Sequence, residues 1–258
     1  MKFRKISSAL LFATASLTPA AAFSEDAPPP PQDIWTGKGQ AGYVASQGNT
    51  SAKSANAAIE MAYYQAEWKH AFHLGGLYGQ SNGITSASRW DAGWQSNYQI
   101  TKPLYVFGAL RYARDNFSGF QYQASGSVGL GYIVIDTTTT KLDAQVGAGY
   151  RTLRPETLTK APSGAVVART LLASESNAIL TGAVNYAWKI TDTTTLSNKL
   201  LVEWGANNTL ISDGLALAVK ISTKLALSLG YSLQENTRPP VGLKKLDALE
   251  TVNLVYSF

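Results

Sequence analysis

Between Trp35 and Phe258, apolar and polar residues alternate position by position in one segment after another. Around residue 95, Trp90, Ala92, Trp94, Ser96, Tyr98 and Ile100 share one parity. Arg89, Asp91, Gly93, Gln95, Asn97 and Gln99 share the other. Successive side chains of a strand point to opposite faces, so such a segment carries one apolar, aromatic face and one polar face. The stretches from Tyr122 to Val134 and from Leu142 to Tyr150 repeat the pattern. A helix needs apolar residues at i, i+3, i+4 and i+7, and these segments fail that spacing.

The alternation predicts twelve strands, at 35–46, 52–65, 67–80, 88–100, 103–116, 121–135, 141–154, 176–190, 195–206, 209–222, 224–236 and 247–258. Many exceed the usual five or six residues of a globular strand. They suit the roughly 9–11 residues with which a tilted strand crosses a bilayer. Every second connection is short: near Gln65-Ala66, Thr101-Lys102, Asp136 to Thr140, Thr191 to Thr194 and Ser222-Thr223. The others vary, and the longest run from Pro155 to Glu175 and from Asn236 to Leu246. Short turns at one end and longer loops at the other are the layout of an outer-membrane barrel. The expected fold is therefore an all-β, antiparallel transmembrane β-barrel of about 12 strands occupying 34–258. A soluble β-sandwich also alternates, but it rarely sustains a dozen such long strands.

Aromatic residues agree with this layout. Tyr43, Tyr63, Trp68, Tyr78, Trp90, Tyr98, Tyr122, Tyr132, Tyr150, Trp188 and Trp204 have the apolar parity and lie mostly toward strand ends. Amphipathic rings favour the headgroup level, which predicts two girdles.

The first 33 residues read differently. Lys2, Arg4 and Lys5 precede a short apolar run, Ile6 to Leu17, and Ala20-Ala21-Ala22 offers small residues for cleavage. This is the pattern of a secretory signal peptide over 1–22, too short to span a membrane. A Pro-rich linker at 23–33 follows, expected to lie in the periplasm, with Pro28 to Pro31 unable to join a sheet. The formal charge of +5 shrinks with the signal, because 19 basic residues then face 17 acidic ones. No nucleic-acid partner is expected from so small an excess. The chain has no Cys, which removes disulfides, thiol chemistry and Cys-ligated zinc. With two His and no phosphate-loop or G-x-S-x-G spacing, no cofactor, no metal and no catalytic residue is expected.

The chain ends Val252-Asn253-Leu254-Val255-Tyr256-Ser257-Phe258. This resembles the terminal signal read by the barrel-assembly machinery, which would make Leu254, Tyr256 and Phe258 assembly residues. That machinery and outer-membrane lipids are the expected partners; the oligomeric state is left unassigned.

The sequence also resembles the YdiY-like family of salt-induced outer-membrane proteins, a group defined by a domain of unknown function. The resemblance spans roughly Gly37 to Phe258. It is carried by Gly48-Asn49-Thr50, Trp68-Lys69-His70, Phe107-Gly108, Arg111-Tyr112, Phe117-Ser118-Gly119-Phe120, Ile135-Asp136-Thr137, Gly149-Tyr150-Arg151 and the terminal strand. Arg89-Trp90 stands where the family pattern has Arg-Tyr. The resemblance implies an outer-membrane β-barrel, with a possible link to salt stress, and implies no activity.

The polar parity collects eight basic residues, Lys38, Lys69, Arg89, Arg111, Arg151, Lys189, Lys199 and Lys220. Five acidic residues share it: Glu60, Glu67, Asp91, Asp143 and Glu203. Two readings stay open. The charges line a narrow aqueous path whose positive excess favours small anionic solutes. Alternatively they pair and fill a closed, structural or stress-related barrel, because unpaired charge in a confined interior is costly. Twelve strands fall between filled eight-stranded barrels and wide porins. Gly129, Gly131, Gly147, Gly149, Ala216 and Ala218 leave room for either. A third reading, a barrel-embedded hydrolase, needs a nucleophile, a base and an orienting group. His70 and His73 are three apart on one strand and face opposite sides, His73 inward and His70 toward lipid.

Overall fold

The computed structural model describes residues 34–47 and 51–258. The signal and linker expected at 1–33, and the Gly48-Asn49-Thr50 motif, lie outside the described residues. Thirteen strands follow in chain order: β1 (Ile34–Ser46), β2 (Ala52–Gln65), β3 (Trp68–Ser81), β4 (Ile84–Gln99), β5 (Leu104–Asp115), β6 (Phe120–Asp136), β7 (Thr140–Lys160), β8 (Val166–Leu171), β9 (Glu175–Lys189), β10 (Thr194–Gly205), β11 (Leu210–Lys220), β12 (Leu225–Asn236) and β13 (Leu246–Ser257). Twelve of them form a closed antiparallel barrel, in which β7 pairs with both β6 and β9, and β1 closes on β13. Closure joins the two edge strands of the wall, which is the condition for a sheet to cross hydrocarbon. The thirteenth strand, β8, pairs only with the far end of β7.

The barrel wall follows the alternation. Val128, Val146 and Tyr150 are exposed on the outside, whereas Arg151, Glu203 and Ser212 are buried inside. This inversion of the globular rule is that of a barrel with a lipid-facing surface. The outward aromatics stack on one another. Trp35 lies over Tyr63 at 4.8 Å between ring centroids, Trp68 meets Tyr98 at 4.9 Å, and Trp90 meets Tyr112 at 5.0 Å. His70 stacks on Trp68 at 5.7 Å and faces outward with them.

Three departures from the sequence expectation have local causes. Strand β4 begins at Ile84, four residues earlier than expected, because Asn82 and Gly83 both adopt positive φ (49° and 78°) and make a two-residue turn directly after β3. Such turns match the right-handed twist of flanking strands. The segment 155–175, expected as a loop, is largely sheet. Strand β7 continues to Lys160 and forms a hairpin with β8, Glu156 opposite Leu171 and Thr159 opposite Ala168. Pro155 fits there because it lies opposite Phe120 at a register shift, where a ladder donor is not required. Glu67 occupies the exposed two-residue turn between β2 and β3, not a strand position.

The closing seam is short. Only Lys38 to Ala41 of β1 pair with Ser257 to Leu254 of β13, extended by reciprocal 2.9 Å backbone bonds between Gly37 and Phe258. Beyond it, Asn56 of β2 donates a 2.8 Å hydrogen bond to Asn253 of β13 in front of Gly42 of β1. A Cβ at Gly42 would stand 2.6 Å from the Asn56 side-chain oxygen, so glycine is what allows this bridge.

Candidate functional site

The lumen has three compartments along its axis. At the end carrying the short turns, a cavity of about 460 Å³ is lined by Thr36, Tyr64, Lys69, Asn97, Gln99, Tyr105, Asp143 and their neighbours. A waist of about 80 Å³ follows, bounded by Phe107, Thr181, Asn185, Lys199 and Glu203. Toward the loop end the space falls to about 50 Å³ among His73, Arg89, Asp91, Arg111, Arg151 and Glu203.

Inward-facing rings on β5 set this profile. Tyr105 and Phe107 are buried, and their space comes from glycines on the neighbouring strands. A Cβ on Gly131 would collide with the Tyr105 ring, and one on Gly129 would stand 2.8 Å from Phe107. Of the small lumen residues that left two readings open, Gly129, Gly131 and Gly147 thus accommodate β5 aromatics. Tyr105 was not singled out from the sequence, and Phe107 and Phe120 entered only as motif residues of the family resemblance. The parity that Tyr105 and Phe107 share with Arg111 is the signal that marks them as inward; Phe120 has the opposite parity and is buried beside the register shift at the start of β6.

The charged residues separate into groups. Glu203 is the hub of the loop-end group: Arg111 Nη1 lies 3.3 Å and Arg151 Nη1 3.5 Å from its carboxylate, and Ser125 Oγ donates to it at 2.8 Å. Arg151 is fully buried and also donates to the Asn208 carbonyl. Beside this hub, His73 Nε2 is 2.9 Å from Asp91 Oδ2, and Arg89 Nη2 is 3.8 Å from Asp91 Oδ1. In the wide half, Asp143 accepts from Tyr105 Oη and Asn185 Nδ2 at 3.0 Å each and from Gln145 Nε2 at 3.4 Å. Lys38 pairs with Glu60 at 3.3 Å, and Lys69 Nζ lies 5.5 Å from the Tyr64 ring centroid. Lys199 is buried at the waist. Lys189 and Lys220 are not brought to the others. Lys189 pairs with Asp192 of the following turn at 3.5 Å, and Lys220 is exposed at the last position of β11.

A lid covers the loop end. Residues 237–245, between β12 and β13, reach the β5–β6 loop on the far side of the mouth. There Gly119 adopts a φ of +76°, and a Cβ on it would strike Leu243 and stand 2.9 Å from Pro240. Side chains in the loops lace the lid down. The Asn208 side-chain oxygen accepts from Arg238 N at 3.0 Å, and Asn208 Nδ2 donates to Asn236 at 2.8 Å. The Phe117-Ser118-Gly119-Phe120 stretch therefore acts as the seat of the lid.

Residues 39–258 match the model of the family described as "Protein of unknown function, DUF481". The chain belongs to that family. This DUF481 chain is 26% identical over 238 residues to "Uncharacterized protein YdiY" of Escherichia coli strain K12, covering 90% of the chain and 86% of that protein. Among solved structures it is similar to the translocator domain of autotransporter NalP from Neisseria meningitidis, with 15% identity, 88% of each chain covered and a TM-score of 0.48. An outer-membrane channel from Pseudomonas putida F1 gives 11% identity, 93% of this chain and 99% of that chain covered, and a TM-score of 0.49. NanC porin gives 13%, 87% and 99%, and 0.45.

The DUF481 lumen does not assemble a nucleophilic set around its buried histidine. Among the described residues no hydroxyl is hydrogen-bonded to His73. Ser125 is committed to Glu203, and the Ser118 hydroxyl donates to the Asp115 carbonyl at 3.1 Å. Nor do the described residues contain a group of three metal-ligating side chains.

Proposed function

We propose that this protein is a narrow outer-membrane channel for small, anionic solutes, held closed at its extracellular end. The observation that carries the reading is the graded lumen, about 460 Å³ at the turn end and about 50 Å³ under the lid. A vestibule of that size, walled by amides, tyrosines and a lysine, holds solute and water; a barrel serving only as a structural element has no need of it. In this reading the vestibule lies on the periplasmic side, supported by the short turns at that end. The solute charge rests on the sequence count of eight basic against five acidic residues of the polar parity; the cavities themselves are lined by both signs, with Asp115 beside Arg89 among them. Export by the signal over 1–22 and assembly through Leu254, Tyr256 and Phe258 belong to the same reading. Leu254 and Tyr256 on the outer face of β13, and Phe258 just after it, are exposed beside the seam.

A second reading is favoured by one observation: Arg111, Arg151 and Glu203 hold one another across the barrel. Such a network also suits a permanently plugged barrel without transport. Planar-bilayer conductance separates the two. The wild-type protein is expected to conduct weakly, and a variant lacking lid residues 239–244 together with Arg111→Ala to conduct several-fold more, with anions preferred. Absence of current at every voltage from both proteins would sink the channel.

A further inference from the structure

We propose that Lys199 and Thr181 form a binding station for one small monovalent anion at the waist of the lumen. Both residues are only 7% exposed, and both line the 80 Å³ compartment. Among the described residues, neither Lys199 Nζ nor Thr181 Oγ1 has a hydrogen-bond partner. An ammonium group withdrawn from water without a hydrogen-bond acceptor is costly, and so, to a lesser degree, is an unpaired hydroxyl. Their positions are linked by the sheet: Lys199 of β10 lies opposite Asn185 of β9, and Thr181 lies two inward positions further along β9, opposite Glu203.

The neighbouring acids are already committed. Glu203 is held by Arg111, Arg151 and Ser125; Asp143 by Tyr105, Asn185 and Gln145; Glu60 by Lys38. Glu60 and Asp143 act on the Lys199 ammonium only at longer range, and among the described residues none of its hydrogens meets an acceptor. Ser127 and Gln95 complete a polar wall around it. The compartment has room for a few water-sized groups, which fits a halide or a similarly small anion and excludes a sugar acid. The station gives a substrate class to the channel reading and rests on that reading for its use, though its geometry stands without it.

Bromide is the probe. Full-length protein in detergent is unfolded thermally in rising sodium bromide, with sodium gluconate at equal ionic strength as reference. A saturable rise of the midpoint by a few degrees is expected in bromide alone, with an anomalous-scattering peak beside Lys199 in crystals grown with bromide. Lys199→Met abolishes both. Thr181→Val keeps the peak but weakens the apparent affinity about tenfold, the loss of one hydrogen bond to a charged group. Heat-modifiable gel migration verifies that each variant is folded. An unchanged bromide response in Lys199→Met, or no difference between bromide and gluconate in wild type, overturns the station. Binding without conductance overturns only the channel; conductance without bromide binding overturns only the station.

Discussion

Toward the turn end, β4 and β7 present Gln95, Asn97, Gln99 and Gln145 to a wide cavity, and the buried Asp143 there is satisfied by neutral donors. Farther along the same two strands, Arg89, Asp91 and Arg151 fill the space, and Glu203 is held by two guanidinium groups. Strand number and closure are identical in the two halves, so barrel size does not decide whether a lumen is open. Side-chain length and pairing decide it. Amides that bond sideways to a carboxylate leave the axis clear, whereas arginines that reach across close it.

This contrast can be broken most severely at its hub. Glu203→Ala leaves Arg111 and Arg151 facing each other without a counter-charge, one of them fully buried. Removing one partner of a buried ion pair costs about 3–5 kcal/mol. The expected outcome is a lower denaturant midpoint for the folded barrel, measured by circular dichroism, together with higher conductance. A smaller effect is expected in the wide half from Gly131→Val, which drives a side chain into the ring of Tyr105. Overpacking of this kind costs about 1–3 kcal/mol, and the displaced ring should change access to the vestibule while leaving the loop-end network intact. Tyr105→Phe should be the mildest. It removes one of three donors to Asp143, worth about 1 kcal/mol. Equal costs for Glu203→Ala and Tyr105→Phe would show that the two halves are not held differently.

Much of this molecule is legible in its alternation. The inward parity of Arg89, Asp91, Arg111, Arg151 and Glu203 is readable because a one-residue slip would turn each into lipid. The strand positions of 52–65 and 141–154 follow from the same rule. The β7–β8 hairpin is not legible, because Thr157 to Lys160 lie beyond the stretch of β7 that pairs with β6 and β9, and no alternation is imposed on them. The lid is hidden for a similar reason: its contact with Gly119 joins loops more than a hundred residues apart.

The sequence by itself determined the faces, the twelve strands of the barrel wall and the end at which turns are short, since each rests on a local period of two and on local turn chemistry. Tertiary structure alone decided the partners. Arg111 and Glu203 stand 92 residues apart and meet only because the sheet closes into a ring of fixed register. Their pairing, the β5 rings over Gly129 and Gly131, and the unpartnered ammonium of Lys199 are products of that closure. Local periodicity states which way a side chain points, but only the closed wall determines what it meets there.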